Sequence, residues 1–121
     1  MSEKKVLIVE DDQMICSMYE TKLKQSGFLV FVADNGADGI RIAFAEKPDI
    51  ILLDIILPQV DGFSVLEEIR NNADFKLIPI LMLTNLGTDE DKEKGKKLGA
   101  TDYFVKANLT PTQIVEIIKK Y

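Results

Sequence analysis

Short apolar runs alternate with longer polar or amphipathic segments along the chain, and this alternation restricts the fold more than any other feature. The apolar runs are typical of buried strands and occupy residues 6–9, 29–33, 50–54, 80–84 and 102–106. The segments that follow them predict helices over residues 13–25, 36–46, 64–70 and 88–97, with a last helix opened by Thr110-Pro111. Such alternation predicts a parallel sheet with helices on both faces. We therefore expect one doubly wound α/β domain, (βα)5, over residues 1–121.

Length, charge and composition argue against several classes of function. The 121 residues suit a single core, and the net charge of -5 argues against direct binding of nucleic acid. Apolar runs far shorter than ~20 residues predict no membrane insertion. With no secretory signal expected and only one cysteine, Cys16, the expected location is cytoplasmic. The chain has no histidine, which removes histidine catalysis and histidine metal ligation.

Polar residues stand where the predicted strands end, which is where open α/β sheets bind ligands. These residues are Glu10, Asp11, Asp12, Asp54, Thr84 and Lys106. Taken singly, Asp11, Asp12 and Thr84 have a simpler interpretation as helix N-caps. Lys106 alone has a simpler interpretation as a surface lysine.

Helix capping does not explain why an aspartate, Asp54, stands at the end of an apolar strand. This residue follows four consecutive aliphatic residues, 50–53, and Pro58 with the PQVDG turn separates it from the next helix. Burying a carboxylate is costly unless a partner pairs with it or a metal binds it. We therefore interpret Asp54 as a functional carboxylate delivered by a central strand.

Together, the residues at the strand ends form a set suited to phosphoryl transfer. Carboxylates from two strands, without histidine or cysteine, are hard oxygen ligands of the kind that Mg²⁺ prefers. A lysine ammonium and a threonine hydroxyl bind oxygens of a phosphoryl group. A carboxylate is also an accepted nucleophile for phosphoryl groups. The sequence thus predicts that Asp54 forms an aspartyl phosphate.

The motifs IVEDD, LLDIILPQVDG, LMLTN and DYFVK resemble those of receiver domains of bacterial two-component response regulators. The resemblance extends over essentially the whole chain. It implies a flavodoxin-like sheet with strand order 2-1-3-4-5. It also implies a single receiver domain of the chemotaxis and sporulation-regulator type, with no output domain in residues 1–121. Whether the chain acts alone or belongs to a longer protein stays open.

The resemblance implies a metal site around the phosphoacceptor. Asp54 would accept the phosphoryl group and bind Mg²⁺. Asp11 would bind the ion directly, Glu10 through water, and Ile56 through its backbone carbonyl. Asp12 is assigned mainly to helix capping.

The resemblance also implies catalytic and switch residues. Thr84 and Lys106 would contact the phosphoryl group, and Thr84 and Tyr103 would move inward on activation. Pro58 and Gly62 stand at the offsets that the family uses after its phosphoacceptor.

Two departures from the family pattern bear on the chemistry. Ala107 follows Lys106 where the family usually has proline, commonly after a cis bond, so we expect a strained or rearranged loop. Asn85 replaces the small residue usual after the threonine. We hypothesise that its bulk narrows access to the phosphoryl group and changes the rates of transfer or hydrolysis.

The expected function is therefore regulatory rather than enzymatic, apart from catalysis of the chain's own phosphorylation and dephosphorylation. A sensor histidine kinase or a histidine phosphotransfer protein would donate the phosphoryl group. The face formed by the fourth helix, fifth strand and fifth helix would then signal to a downstream protein. Residues 88–98 contain almost no apolar anchor before Leu98. We interpret this segment either as an easily repositioned helix or as a merely solvated one.

Three alternatives differ in what they require. A flavodoxin-like cofactor module needs a glycine- and hydroxyl-rich loop after the first strand, whereas EDDQM is acidic. A haloacid-dehalogenase-type phosphatase needs a second aspartate two residues after the nucleophile, where this chain has Ile56. An unphosphorylated receiver-like interaction scaffold predicts no phosphoryl uptake at Asp54.

Overall fold

Five strands and five helices alternate along the computed structural model, which describes residues 3–85 and 88–121. The strands are β1 (Lys5–Val9), β2 (Leu29–Ala33), β3 (Ile50–Leu53), β4 (Ile80–Thr84) and β5 (Asp102–Val105). The helices are α1 (Gln13–Gln25), α2 (Gly36–Glu46), α3 (Gly62–Arg70), α4 (Asp89–Lys97) and α5 (Pro111–Lys119). Short 3-10 turns cover Ala73–Phe75 and Lys106–Asn108. The predicted alternation of elements is confirmed.

All neighbouring strands are parallel, and the sheet order is β2-β1-β3-β4-β5. The predicted flavodoxin-like order 2-1-3-4-5 is thus confirmed. The register pairs Val9 with Leu53 and Leu53 with Met82, so the central strands end almost level with one another. Residues that follow these strands therefore meet at one edge of the sheet.

Alternate side chains of the central strands point to opposite faces and build two cores. One set packs with α2 and α3 and consists of Leu7, Val9, Ile51, Leu53, Ile80 and Met82. The other set packs with α1 and α5 and consists of Val6, Ile8, Ile50, Leu52, Leu81 and Leu83. Helices therefore cover both faces of the sheet, as the uninterrupted apolar runs predict. In the part of the chain that is described, no helix has the length and apolarity of a membrane span.

Cys16, only 8% exposed, contributes to the core, whereas Met18 on the same helix is 45% exposed. Several element boundaries differ from the sequence predictions. Helix α3 begins at Gly62 rather than at residue 64, because the Asp61 side chain accepts the Ser64 N–H and caps it. The third and fifth strands end one residue earlier than predicted.

Helix α4 is almost entirely polar, as its sequence predicts. Within Asp89–Lys97 only Gly95 is buried. The Thr88 hydroxyl accepts the Asp91 N–H and caps the helix. The acidic first turn and the basic last turn complement the helix dipole. Local charge arrangement therefore supports a helix that buries little apolar surface of its own.

The turn after β3 approaches the start of α3 very closely. The Gly62 N–H donates to the Ile55 carbonyl over 2.7 Å. A Cβ atom on Gly62 would lie 2.0 Å from the carbonyl oxygen of Asp54 and 2.7 Å from Cα of Ile55. Only glycine therefore fits there without displacement of the backbone that carries Asp54.

The Arg70 guanidinium joins three segments at the opposite end of the sheet. Its Nε–H donates to the Gly99 carbonyl over 2.8 Å, and Nη1 donates to the Phe75 carbonyl over 2.6 Å. Nη2 lies 3.2 Å from Oγ1 of Thr101, which also accepts the Ile80 N–H. Arg70 thus connects the end of α3, the 3-10 turn after it and the loop between α4 and β5.

We expect Arg70→Met to lower the free energy of unfolding by about 2–3 kcal/mol, because it leaves carbonyl groups without a charged donor. Urea denaturation followed by circular dichroism measures the change. The matched control is Arg41→Met, because Arg41 is exposed and makes a 3.5 Å ion pair with Asp38. Its expected loss is below about 0.5 kcal/mol. Equal losses in the two variants would contradict the role given to Arg70.

We expect Gly62→Ala to destabilise the fold by about 2 kcal/mol or more, because the added methyl group meets backbone atoms that have little room to move. The control is Gly95→Ala, whose Cβ would lie 3.5 Å from the Tyr103 ring, an ordinary contact. That change is expected to stabilise helix α4 by about 0.5–1 kcal/mol. Thermal melts of both variants test the prediction, and an unchanged melting temperature for Gly62→Ala would refute it.

Candidate functional site

Two carboxylates lie side by side where β1 and β3 end. The Asp54 N–H donates to the Val9 carbonyl over 3.1 Å, and the Glu10 N–H donates to the Ala33 carbonyl over 3.0 Å. The parallel ladder thus extends through both acidic residues. Glu10 is 4% and Asp54 6% exposed, so both carboxylates are buried. Buried carboxylates need partners, and the neighbouring residues provide them.

The Lys106 ammonium lies between the two carboxylates. Its Nζ donates to Oδ2 of Asp54 over 2.7 Å and also donates to Oε1 of Glu10. The Lys106 side chain is only 9% exposed. The remaining oxygens accept backbone donors: Oδ1 of Asp54 from the Ile56 N–H over 3.3 Å, and Oε2 of Glu10 from the Asp12 N–H over 3.2 Å. Among the described residues, every buried side-chain polar atom has a partner.

Burial and pairing act in opposite directions on the ionisable groups of this site. Burial raises the pKa of Glu10 to about 7, even though the hydrogen bonds from Lys106 and from the Asp12 N–H lower it. Burial also lowers the pKa of Lys106, but the hydrogen bonds to Asp54 and Glu10 together outweigh burial and raise it. Lys106 therefore stays charged at neutral pH, while Glu10 is held near its titration point.

Three carboxylates at this edge fit a divalent cation. Ligand oxygens of Glu10, Asp11 and Asp54 all lie within 4.8 Å of one another, and Asp11 is exposed to solvent. A cluster of carboxylate oxygens with an open side suits Mg²⁺, which keeps several waters. Ile56 lies beside the cluster through its hydrogen bond to Asp54. The metal-ligand role of the Ile56 carbonyl stays a prediction.

Thr84 and Tyr103 lie on the neighbouring strands. Thr84 is completely buried at the end of β4, and the register pairs it with Val105, the residue before Lys106. Thr88 rather than Thr84 caps α4, so capping does not account for Thr84. Tyr103 is half-buried on β5, and burial followed by the charges of Asp91 and Asp54 raises its pKa to about 12. Its hydroxyl is therefore neutral at physiological pH.

The edge of the site contains Asp12, the Lys106–Ala107 bond and Asn85. The Asp12 side chain accepts the Ile15 N–H over 3.1 Å and caps α1, as predicted. Among the described residues no peptide bond is cis, so the Lys106–Ala107 bond is trans. Lys106 begins a 3-10 turn instead of ending β5. A loop strained or rearranged relative to the family stays a prediction. Asn85 is exposed directly after β4.

Two contacts next to this site were not predicted from the sequence. Gly62 packs on the Asp54 carbonyl, whereas only its offset from Asp54 was predicted. The ring of Phe63 lies 4.6 Å from the Nζ atom of Lys94 on α4. The Asp61-Gly62 pair was a sequence signal for the first contact, because such pairs mark tight turns. Nothing local in the sequence signals the second, which joins distant elements.

The geometry resembles that of known proteins. The sequence model of the family described as "Response regulator receiver domain" matches residues 6–119. The chain is 42% identical over 105 residues to the probable transcriptional regulator ycf27 of Guillardia theta, covering 87% of this chain and 40% of that protein. The structure superposes on chemotaxis protein CheY4 of Vibrio cholerae with a TM-score of 0.92 and 31% identity, covering 98% of each chain.

A metal-bound structure is also among the similar ones. The Mn²⁺-bound form of response regulator Rcp1 has a TM-score of 0.81 and 28% identity, and the match covers 98% of this chain and 93% of that one. The chain spans between 40% and 44% of the length of four curated relatives that it matches. With a family match over nearly all of its length and the corresponding fold, the chain belongs to the receiver domains of two-component response regulators.

Proposed function

We propose that this receiver domain accepts a phosphoryl group on Asp54 and passes the signal on through protein contacts. The observation that carries the proposal is the position of the Asp54 carboxylate. It stands at the end of a central strand, 2.7 Å from the Lys106 ammonium and beside Glu10 and Asp11. The carboxylate is held by two fixed donors, Lys106 and the Ile56 N–H, so its orientation is defined before a donor arrives.

In the proposed reaction a carboxylate oxygen of Asp54 attacks the phosphorus atom of a phosphohistidine on a sensor kinase or a phosphotransfer protein. The new O–P bond forms as the P–N bond breaks, and the histidine nitrogen leaves with the bonding electrons. Lys106 stabilises the negative charge on the phosphoryl oxygens, and the Thr84 hydroxyl contacts one of them. Mg²⁺, bound by Asp11 and Asp54 with Glu10 acting through water, would supply further positive charge.

The signal would then leave the site as a shift between two conformations. The phosphoryl group adds negative charge and acceptor oxygens, which favour a state with Thr84 and Tyr103 drawn inward. Tyr103 lies on β5 beside α4, so this movement changes the face formed by α4, β5 and α5. A downstream protein would bind that face. The cytoplasmic location predicted from the sequence stays a prediction.

We expect wild-type protein incubated with acetyl phosphate and Mg²⁺ to gain one phosphoryl group, and Asp54→Asn to gain none. Excess chelator is expected to abolish the gain, because the carboxylate cluster then lacks its cation. Intact-mass spectrometry measures the uptake. Asp12→Asn is the matched control: it changes an acidic residue at the same edge that caps α1, and asparagine caps equally well. Uptake by Asp54→Asn would contradict the assignment of Asp54 as the acceptor. A lack of uptake by the wild type from any phosphodonor, including kinases, would favour the interaction scaffold instead.

We expect Asn85→Ala to raise the rates of phosphorylation and of aspartyl phosphate hydrolysis severalfold, because a smaller side chain after Thr84 opens the path to Asp54. Time courses of acetyl phosphate uptake, and of decay after donor removal, measure the two rates. Asn71→Ala removes an exposed amide after α3, at the other end of the sheet, and is expected to leave both rates as in wild type. Unchanged rates in Asn85→Ala would refute the hypothesis that the Asn85 side chain narrows access to the phosphoryl group.

A further inference from the structure

Helix α4 has few attachments to the rest of the domain. Gly95 is its only buried residue, and the nearest side-chain atoms around it belong to Tyr103, Ala100 and Met82, at 3.5–3.8 Å from the position of a Cβ. Leu98, directly after the helix, packs against the core. A helix with so little buried surface depends strongly on each remaining contact.

Lys94 makes one of these remaining contacts. Its Nζ atom lies 4.6 Å from the centroid of the Phe63 ring, within the range of a cation–π interaction. Phe63 is buried at the start of α3, while Lys94 is on the exposed side of α4. The lysine therefore reaches from a polar helix to an aromatic ring of the core.

Phe63 stands next to the glycine that packs on the phosphoacceptor turn. The Gly62 N–H donates to the Ile55 carbonyl, and the Gly62 backbone approaches the Asp54 carbonyl so closely that no Cβ fits between them. Movement of the Phe63 ring thus reaches the turn through one peptide unit. Dense packing transmits such a displacement because it leaves no free volume to absorb it.

We propose that Lys94 is a positioning residue whose contact with Phe63 couples the docking of α4 to the backbone geometry of the turn that carries Asp54. Coupling of this kind is reciprocal. Loss of the contact loosens α4 and the turn together, and a change in the turn alters how firmly α4 is held. The structural coupling is independent of phosphorylation, whereas its regulatory meaning rests on the function proposed for Asp54.

The experiment is native-state hydrogen exchange measured by NMR on the unphosphorylated full chain. Lys94→Met keeps most of the apolar stem of the side chain and removes its charge, and Lys94→Arg keeps the charge. Lys97→Met is the matched control, because it removes the same charge from the same helix next to Leu98. The amides of Asp89–Lys97 report on α4, and the Gly62 amide reports on the turn.

We expect Lys94→Met to accelerate exchange of the α4 amides and of the Gly62 amide by about two- to fivefold, the range that an exposed cation–π contact provides. Lys94→Arg and Lys97→Met are expected to exchange at wild-type rates. Equal exchange in Lys94→Met and Lys97→Met would overturn the proposal. Faster α4 exchange with an unchanged Gly62 amide would also overturn it, since the contact would then hold the helix without coupling. Phosphoryl uptake at Asp54 is measured in a separate experiment. If Asp54 accepted no phosphoryl group, the hydrogen-exchange result would still decide whether Lys94 couples α4 to the turn.

Discussion

The register of the parallel ladder determines where every group of the site lies. Val9 pairs with Leu53, and the ladder continues through the Asp54 N–H to the Val9 carbonyl. Two carboxylates that are distant in sequence are thereby placed on adjacent strands at the same height. A shift by one residue would turn each acidic side chain toward the opposite face of the sheet. Because both faces of β1 and β3 are buried, such a shift would also bury the wrong side chains in both cores.

This register brings negative charges together at one edge of the sheet, and their repulsion explains why a lysine lies there. Two buried carboxylates repel each other and lose their hydration, so the fold brings a lysine ammonium between them. One positive charge does not neutralise a cluster that also includes Asp11. The net negative charge that remains would attract a divalent cation. The same residues thus explain both the stability of the edge without phosphate and its suitability for metal-assisted chemistry.

Sequence patterns predicted most of the fold because each buried strand is an unbroken apolar run and most of the helices have an amphipathic face. The polar residues at the strand ends could be grouped for the same reason, since parallel strands deliver their ends to one edge. Sequence patterns did not predict the features that depend on tertiary contacts. Nothing local shows that Met18 is 45% exposed, because its exposure depends on how α1 rotates against the sheet. Likewise, the closeness of Gly62 to Asp54 requires the folded turn.

Arg70 holds helix α4 mainly at its carboxyl end. Its guanidinium binds the Gly99 carbonyl just beyond the end of the helix, at the end of the sheet away from the carboxylates. The charged hydrogen bond thus fixes the carboxyl end of the helix, while the rest of the helix buries only Gly95. Nine residues give an arm of about 13 Å, so a tilt of about 10° moves the free end by about 2 Å while the pinned end hardly moves. The displacement in such a tilt would be greatest near Thr88, which is the end of the helix closer in sequence to Thr84.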